Sequence, residues 1–274
     1  VYTAAATDPD AGSTLTYSIS GADAALFNIN ATTGVVTFKS SPNYEAPTDA
    51  GGNNVYDVNV TASDGTNSST KAVAISVTNV NEAPTVTSAA TASFAENASG
   101  TVYTAAATDP DAGTTLTYSI SGADASLFNI NATTGAVTFK SSPNYEAPGD
   151  AGGNNVYDVN VTASDGTNST TKAVAISVTN VNEAPTVTSG AAASFAENGA
   201  GTVYTAAATD PDAGTTLTYS ISGADASLFN INATTGVVTF KSAPNYEAPG
   251  DAGGNNVYDV SVTASDGTNS ATKA

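Results

Sequence analysis

The decapeptide Val1-Tyr2-Thr3-Ala4-Ala5-Ala6-Thr7-Asp8-Pro9-Asp10 returns at Val102–Asp111 and again at Val203–Asp212. Tyr2, Tyr103 and Tyr204 set a period of 101 residues, and the copies differ at few positions, among them Ser13 against Thr114, Val35 against Ala136 and Thr48 against Gly149. Self-similarity at this spacing makes the chain a tandem array, each repeat being the size of one ordinary domain. The frame suggests units at 1–84, 85–185 and 186–274. The middle unit reads as complete. The first lacks a counterpart of Thr91–Asn97 and the last a counterpart of Val174–Val178, so the chain reads as a piece of a longer one.

Within residues 85–185 the hydrophobic period is two, the signature of half-buried strands. Leu116, Tyr118 and Ile120 alternate with small polar residues, as do Tyr157, Val159, Val161 and Ala163, and then Val174, Ile176 and Val178. Phe128 and Ile130 lead through Asn131-Ala132-Thr133-Thr134-Gly135 to Val137 and Phe139, which predicts a hairpin with glycine in the turn. Further strands near Ser93 and Val102 bring the expected number to seven. Seven short strands in about 100 residues predict an immunoglobulin-like sandwich, so the chain is expected to be all-β, with Greek-key sandwiches in series. Tyr118 and Tyr157, candidates for a sugar-binding platform, lie on apolar faces and are expected in the core. The loop Ala147–Asn155 is expected to be the most mobile segment, with Asp124 and Asp150 as solvated loop residues.

Composition narrows the chemistry. Histidine and cysteine are absent, which excludes imidazole bases, Cys-His or Ser-His-Asp nucleophiles, the usual zinc ligands and disulfides. Lys plus Arg number 6 against 25 Asp plus Glu, a net charge of −19, so there is no basic surface to neutralise nucleic-acid phosphates. No apolar run nears the roughly 20 residues of a membrane span. Large aliphatic residues are scarce enough to raise disorder as an alternative, but disordered tracts lack such alternation. A thin core that depends on a bound cation reconciles the two.

The acids gather in short motifs that recur in each unit: Glu96-Asn97, Asp109-Pro110-Asp111, Asn144-Tyr145-Glu146, Ser164-Asp165-Gly166 and Asn182-Glu183. Calcium takes six to eight oxygens, largely carboxylate and carbonyl, at about 2.3 to 2.6 Å, which is the donor set these segments offer. One Asp-x-Asp is ordinarily a solvated turn; five acidic motifs repeating per unit are not. Paired carboxylates can also hydrolyse glycosides, but identical acids at the ends of every unit argue against catalysis. Asn-x-Ser/Thr triplets such as Asn160-Val161-Thr162 read as strand composition.

In order, Ala-Glu-Asn, Thr-Asp-Pro-Asp-Ala-Gly, Leu-Thr-Tyr-Ser-Ile, Asn-Tyr-Glu, Val-Thr-Ala-Ser-Asp-Gly and Val-Asn-Glu-Ala-Pro resemble cadherin repeats, and among these are most similar to the bacterial cadherin-like repeats of very large surface adhesins. The resemblance covers the whole chain. It implies calcium between successive units. At the first junction it implies ligands among Glu45, Asn79, Asn81, Glu82, Asp109, Asp111 and Asp165. At the second it implies Glu96, Glu146, Asn180, Asn182, Glu183, Asp210, Asp212 and Asp266. The family's linker Asp-x-Asn-Asp-Asn-x-Pro appears here as Asn79-Val80-Asn81-Glu82-Ala83-Pro84, one residue shorter and less charged, and the Asp-Arg-Glu-type motif as Asn43-Tyr44-Glu45. Fewer charges imply weaker binding and fewer ions per junction. The expected role is a calcium-rigidified extender of an extracellular, cell-surface or biofilm protein. Two alternatives are a filament or sheath built by strand pairing between copies, and a module that binds polysaccharide or other copies of itself.

Overall fold

The computed structural model describes residues 1–274. It contains strands and single 3-10 turns, and no helix long and apolar enough to cross a membrane. The middle unit shows the architecture in full, and its nine strands are numbered here in chain order: β1 (Thr85–Val86), β2 (Thr91–Ala95), β3 (Thr101–Thr104), β4 (Ala107–Thr108), β5 (Thr117–Ser121), β6 (Phe128–Ile130), β7 (Ala136–Phe139), β8 (Val156–Ser164) and β9 (Ser169–Thr179). One sheet runs β5-β8-β9-β2 and the other β6-β7-β3, with β1 and β4 forming a short ladder of their own. All pairings are antiparallel except β9 with β2, where Ala175 faces Thr91 and Thr179 faces Ala95.

Nine strands appear where alternation predicts seven, because the first two are each broken. The first pairs with β4 through Val86 and Ala107, then continues as β2 into the four-stranded sheet. Tyr103 holds the crossing, its hydroxyl within 2.7 Å of both Ser88 Oγ and the Ala89 carbonyl, and Lys172 donates to the Ser88 carbonyl. The one segment thus edges both the short ladder and the four-stranded sheet.

The alternation places the core. Even positions of β9 and odd positions of β8 turn inward, so Val174, Ile176, Val178, Tyr157, Val159 and Val161 are all buried. Phe128 and Phe139 lie with ring centroids 4.3 Å apart, and Tyr157 meets Phe139 edge-on at 5.0 Å, a geometry that adds to simple burial. Tyr157 is 2% exposed and Tyr118 half-buried against the same cluster, its hydroxyl accepting from the Ala107 amide. The same register returns in the other units: Tyr17 faces Ala62, Tyr118 faces Ala163 and Tyr219 faces Ala264.

The β6–β7 hairpin requires its glycine. Asn131 Oδ1 accepts from the amides of Thr133 and Thr134, and Gly135 closes the turn at φ 70°. A Cβ there would lie 2.3 Å from the Ala105 carbonyl oxygen, so no side chain fits.

The expectation that Asp124 and Asp150 are solvated is corrected. Asp124 and Asp150 are 3% and 7% exposed, not solvated. Asp124 accepts from the amides of Ala151 and Asp158 at 2.7 Å, and Asp150 from those of Asn154 and Asn155. The loop is pinned by two buried carboxylates. Backbone N–H groups that no ladder uses supply the compensation that a buried charge requires. The first and third units repeat the arrangement with Asp23 and Asp49, and with Asp225 and Asp251.

Candidate metal centre

Glu96 follows directly on β2, and its amide donates to the Thr179 carbonyl at the end of β9, so it sits where the unit hands over to its linker. It is 2% exposed. One carboxylate oxygen accepts from the Tyr145 amide at 2.8 Å and the other from the Val181 amide at 2.9 Å. A single buried glutamate therefore ties the Asn144–Glu146 segment to the linker. Glu146 and Glu183 converge on it, and one carboxylate oxygen from each of the three lies within 4.8 Å of the others.

The following unit closes the junction from the far side. Asp212 accepts from the Asn180 side-chain amide at 2.8 Å and from the Glu183 backbone amide at 2.9 Å. Asp210 turns one oxygen to the Asp212 amide. Asp266 accepts from the Asn182 side chain at 2.7 Å, and Asn269 donates back to the Asn182 carbonyl at 2.9 Å. The first junction repeats this. Asn79 donates to Asp111 at 2.6 Å, Asn81 to Asp165 at 2.7 Å, and Asn168 to the Asn81 carbonyl at 2.9 Å. There the converging carboxylates are Glu45, Glu82 and Asp111, again within 4.8 Å.

The sequence-predicted residues thus divide into two groups. Glu45, Glu82 and Asp111, and Glu96, Glu146 and Glu183, form compact clusters. Asp109, Asp165, Asp210, Asp212 and Asp266 stand outside them; Asp165, Asp212 and Asp266 are joined to the linker through Asn81, Asn180 and Asn182, and Asp109 and Asp210 accept from the amides of Asp111 and Asp212. Asn79, Asn81, Asn180 and Asn182 each have the side-chain nitrogen on a carboxylate of the next unit. Sequence reasoning missed Asn168, Asn269 and Asn97, the last donating to Glu183 at 2.6 Å. A usable signal existed for Asn97, its place beside Glu96 in the recurring Glu96-Asn97 motif; in the structure it takes a left-handed φ of 57°.

Electrostatically the clusters are incomplete. Glu146 Oε2, Glu183 Oε2 and Asp210 Oδ2 are buried without a hydrogen-bond partner, as are Glu45 Oε1, Glu82 Oε2 and Asp109 Oδ2 at the other junction. Burial pushes Glu146 and Glu183 above the ordinary glutamate range, and neighbouring carboxylates, Glu96 first among them, push the same way. Glu82 rises for the same two reasons, with Glu45 and Asp111 as its neighbours. Five of the six lysines donate to backbone carbonyls instead. Buried, unpartnered carboxylate oxygens are costly, and an all-oxygen, highly charged donor set suits a hard divalent cation.

A sandwich of this topology, repeated in series with acids at each junction, defines a class: the chain is a tandem of cadherin-type repeats. Residues 90–179 match the cadherin domain family model. Mouse protocadherin Fat 4 is 31% identical over 282 residues, which cover 97% of this chain; the chain spans about 5% of that protein's length. Repeats EC22-24 of mouse cadherin-23 superpose with a TM-score of 0.65 at 23% identity, over 100% of this chain and 89% of that one. Human CDH23 EC21-23 gives 0.65 at 20% identity, over 96% and 88%. Cadherin repeats are adhesive and structural modules, not enzymes.

Proposed function

We propose that the array is a calcium-rigidified extender outside a cell, of the kind that holds a binding domain away from a bacterial surface or within a biofilm matrix. The observation that carries this reading is the convergence, at both junctions, of three carboxylates from three chain segments with buried oxygens left unpartnered. The resemblance to bacterial adhesin repeats supports the setting. A divalent ion at each junction would tie the Asn-Tyr-Glu segment to the linker, together with Asp111 of the next unit at the first junction and with Glu96 at the second. Near-identical repeats suit a spacer, which needs length and stiffness more than varied surfaces.

Small-angle scattering and thermal melting of the 274-residue chain, in calcium and in chelator, test the reading. A shorter, more flexible and less stable particle in chelator is the expected result. Identical maximum dimension and melting in both conditions would overturn it. Sedimentation in calcium separates this reading from a filament: a monomer at high concentration supports the extender, and concentration-dependent polymers support assembly between copies.

A further inference from the structure

Asn155 lies at the end of the pinned loop, in a left-handed conformation with φ 62°. Its amide donates to buried Asp150, and its carbonyl accepts from the Val178 amide in the last turn of β9 before the linker. Its side-chain nitrogen donates to the Tyr145 carbonyl at 2.8 Å. The peptide that follows is the one that carries Glu146. On its other side Tyr145 donates its amide to Glu96. Tyr145 is therefore held at both of its backbone polar groups, once by a carboxylate of the junction cluster and once by an amide outside it. Asn54 repeats these contacts in the first unit, with Tyr44 and Val77, and Asn256 bonds Tyr246 in the third.

We propose that Asn155, and Asn54 at the first junction, are positioning residues for the junction cation. They touch no carboxylate of the cluster. Each fixes the Tyr-Glu peptide relative to the strand that becomes the linker, so that Glu146 meets Glu183, and Glu45 meets Glu82, at a separation one ion can bridge. Asparagine suits the position on two counts: it tolerates positive φ, and its amide supplies the donor that glycine lacks. This inference rests on the calcium reading above. Groups that orient ligands without contacting the metal typically change affinity by roughly 10- to 100-fold.

The test is Asn155→Gly in the full chain, which keeps the left-handed backbone and removes the side chain, both its donor to Tyr145 and its buried, unpartnered Oδ1. Calcium titration calorimetry should show the second junction weakened roughly tenfold and the first unchanged. In chelator, hydrogen exchange at the Tyr145 and Glu146 amides should accelerate. Asn256→Gly removes the same bond in the third unit, away from both junctions, and so measures the structural cost alone; it should leave both affinities as they were. Equal weakening by Asn256→Gly, or unchanged affinity and exchange in Asn155→Gly, would overturn the assignment. A wild-type chain that takes up no calcium would overturn the metal reading instead, and exchange in chelator would still decide whether Asn155 holds Tyr145.

Discussion

The side-chain nitrogen of Asn182 lies 2.7 Å from Oδ2 of Asp266, a contact that joins a linker to a loop 84 residues further along the chain. With the return bond from Asn269 to the Asn182 carbonyl it fixes the orientation of the third unit on the second by direct protein contact. Replacing the amide by a carboxylate inverts the interaction. Asn182→Asp should loosen the second junction in chelator, because two like charges then face each other. Calcium should restore most of the order. Scattering in both conditions checks this, the discriminating result being a larger calcium-dependent change than in wild type.

Glu96 accepts one backbone amide on each carboxylate oxygen. Glutamine retains one acceptor and turns a donor toward the other N–H. Glu96→Gln should cost about 1 to 3 kcal/mol in the stability of the middle unit and weaken calcium at the second junction while sparing the cluster of Glu45, Glu82 and Asp111. Melting and titration calorimetry read the two effects separately.

Asp124 makes the same kind of double contact, to Ala151 in the loop and to Asp158 in β8. Asp124→Asn leaves one of those buried N–H groups facing a donor, at about 1 to 3 kcal/mol. Faster hydrogen exchange at Ala151 and Asp158 is the expected sign, and unchanged exchange would show that the loop is held elsewhere.

Acid should act in opposite directions on the two sets of carboxylates. Glu82, Glu146 and Glu183 are raised above 4.5 by burial first and by neighbouring charge second. In chelator they oppose folding when ionised, so stability should rise as pH falls from neutral toward 4.5 and the folded chain takes up protons first. Asp49 and Asp251 are held below 3.8, chiefly by the amides of Asn53 and Asn255. For Asp150 burial is the largest influence and pulls upward, but the amides of Asn154, Asn155 and others outweigh it. The stability these aspartates contribute is present above 3.8 and lost as pH falls below it toward their folded values. A stability maximum between the two ranges is expected in chelator. In calcium the upper limb should reverse, since protons then compete with the ion.

The strands and the core were legible because period-two alternation is a local property: Tyr157, Val159 and Val161 declare their face without reference to any partner. The family-like motifs marked where acids gather. What stayed hidden was compensation by backbone. Asp124 and Asp150 look like solvated loop residues because their partners are main-chain N–H groups of Ala151, Asp158, Asn154 and Asn155, and main-chain groups carry no sequence signal. The broken first strand was missed for a related reason, as the hydroxyl of Tyr103 reaches Ser88 and Ala89 only after both sheets have formed. Asn155 joins three segments through its amide, carbonyl and side chain, and two of those contacts involve residues chosen by folding alone.

The parallel pairing of Thr91–Ala95 with Ala175–Thr179 has a mechanical consequence. One strand lies near the entry of the middle unit and the other at its exit, and they point the same way. Tension along the array draws them past one another lengthwise, so the ladder is loaded in shear and its bonds share the force instead of opening one at a time. A pulling experiment should find one high rupture event, from the middle unit, lost when proline replaces Ala175, whose amide donates to the Ala90 carbonyl. The strand that crosses between sheets is then what lets a thin, alanine-padded sandwich carry a load its core alone would not resist.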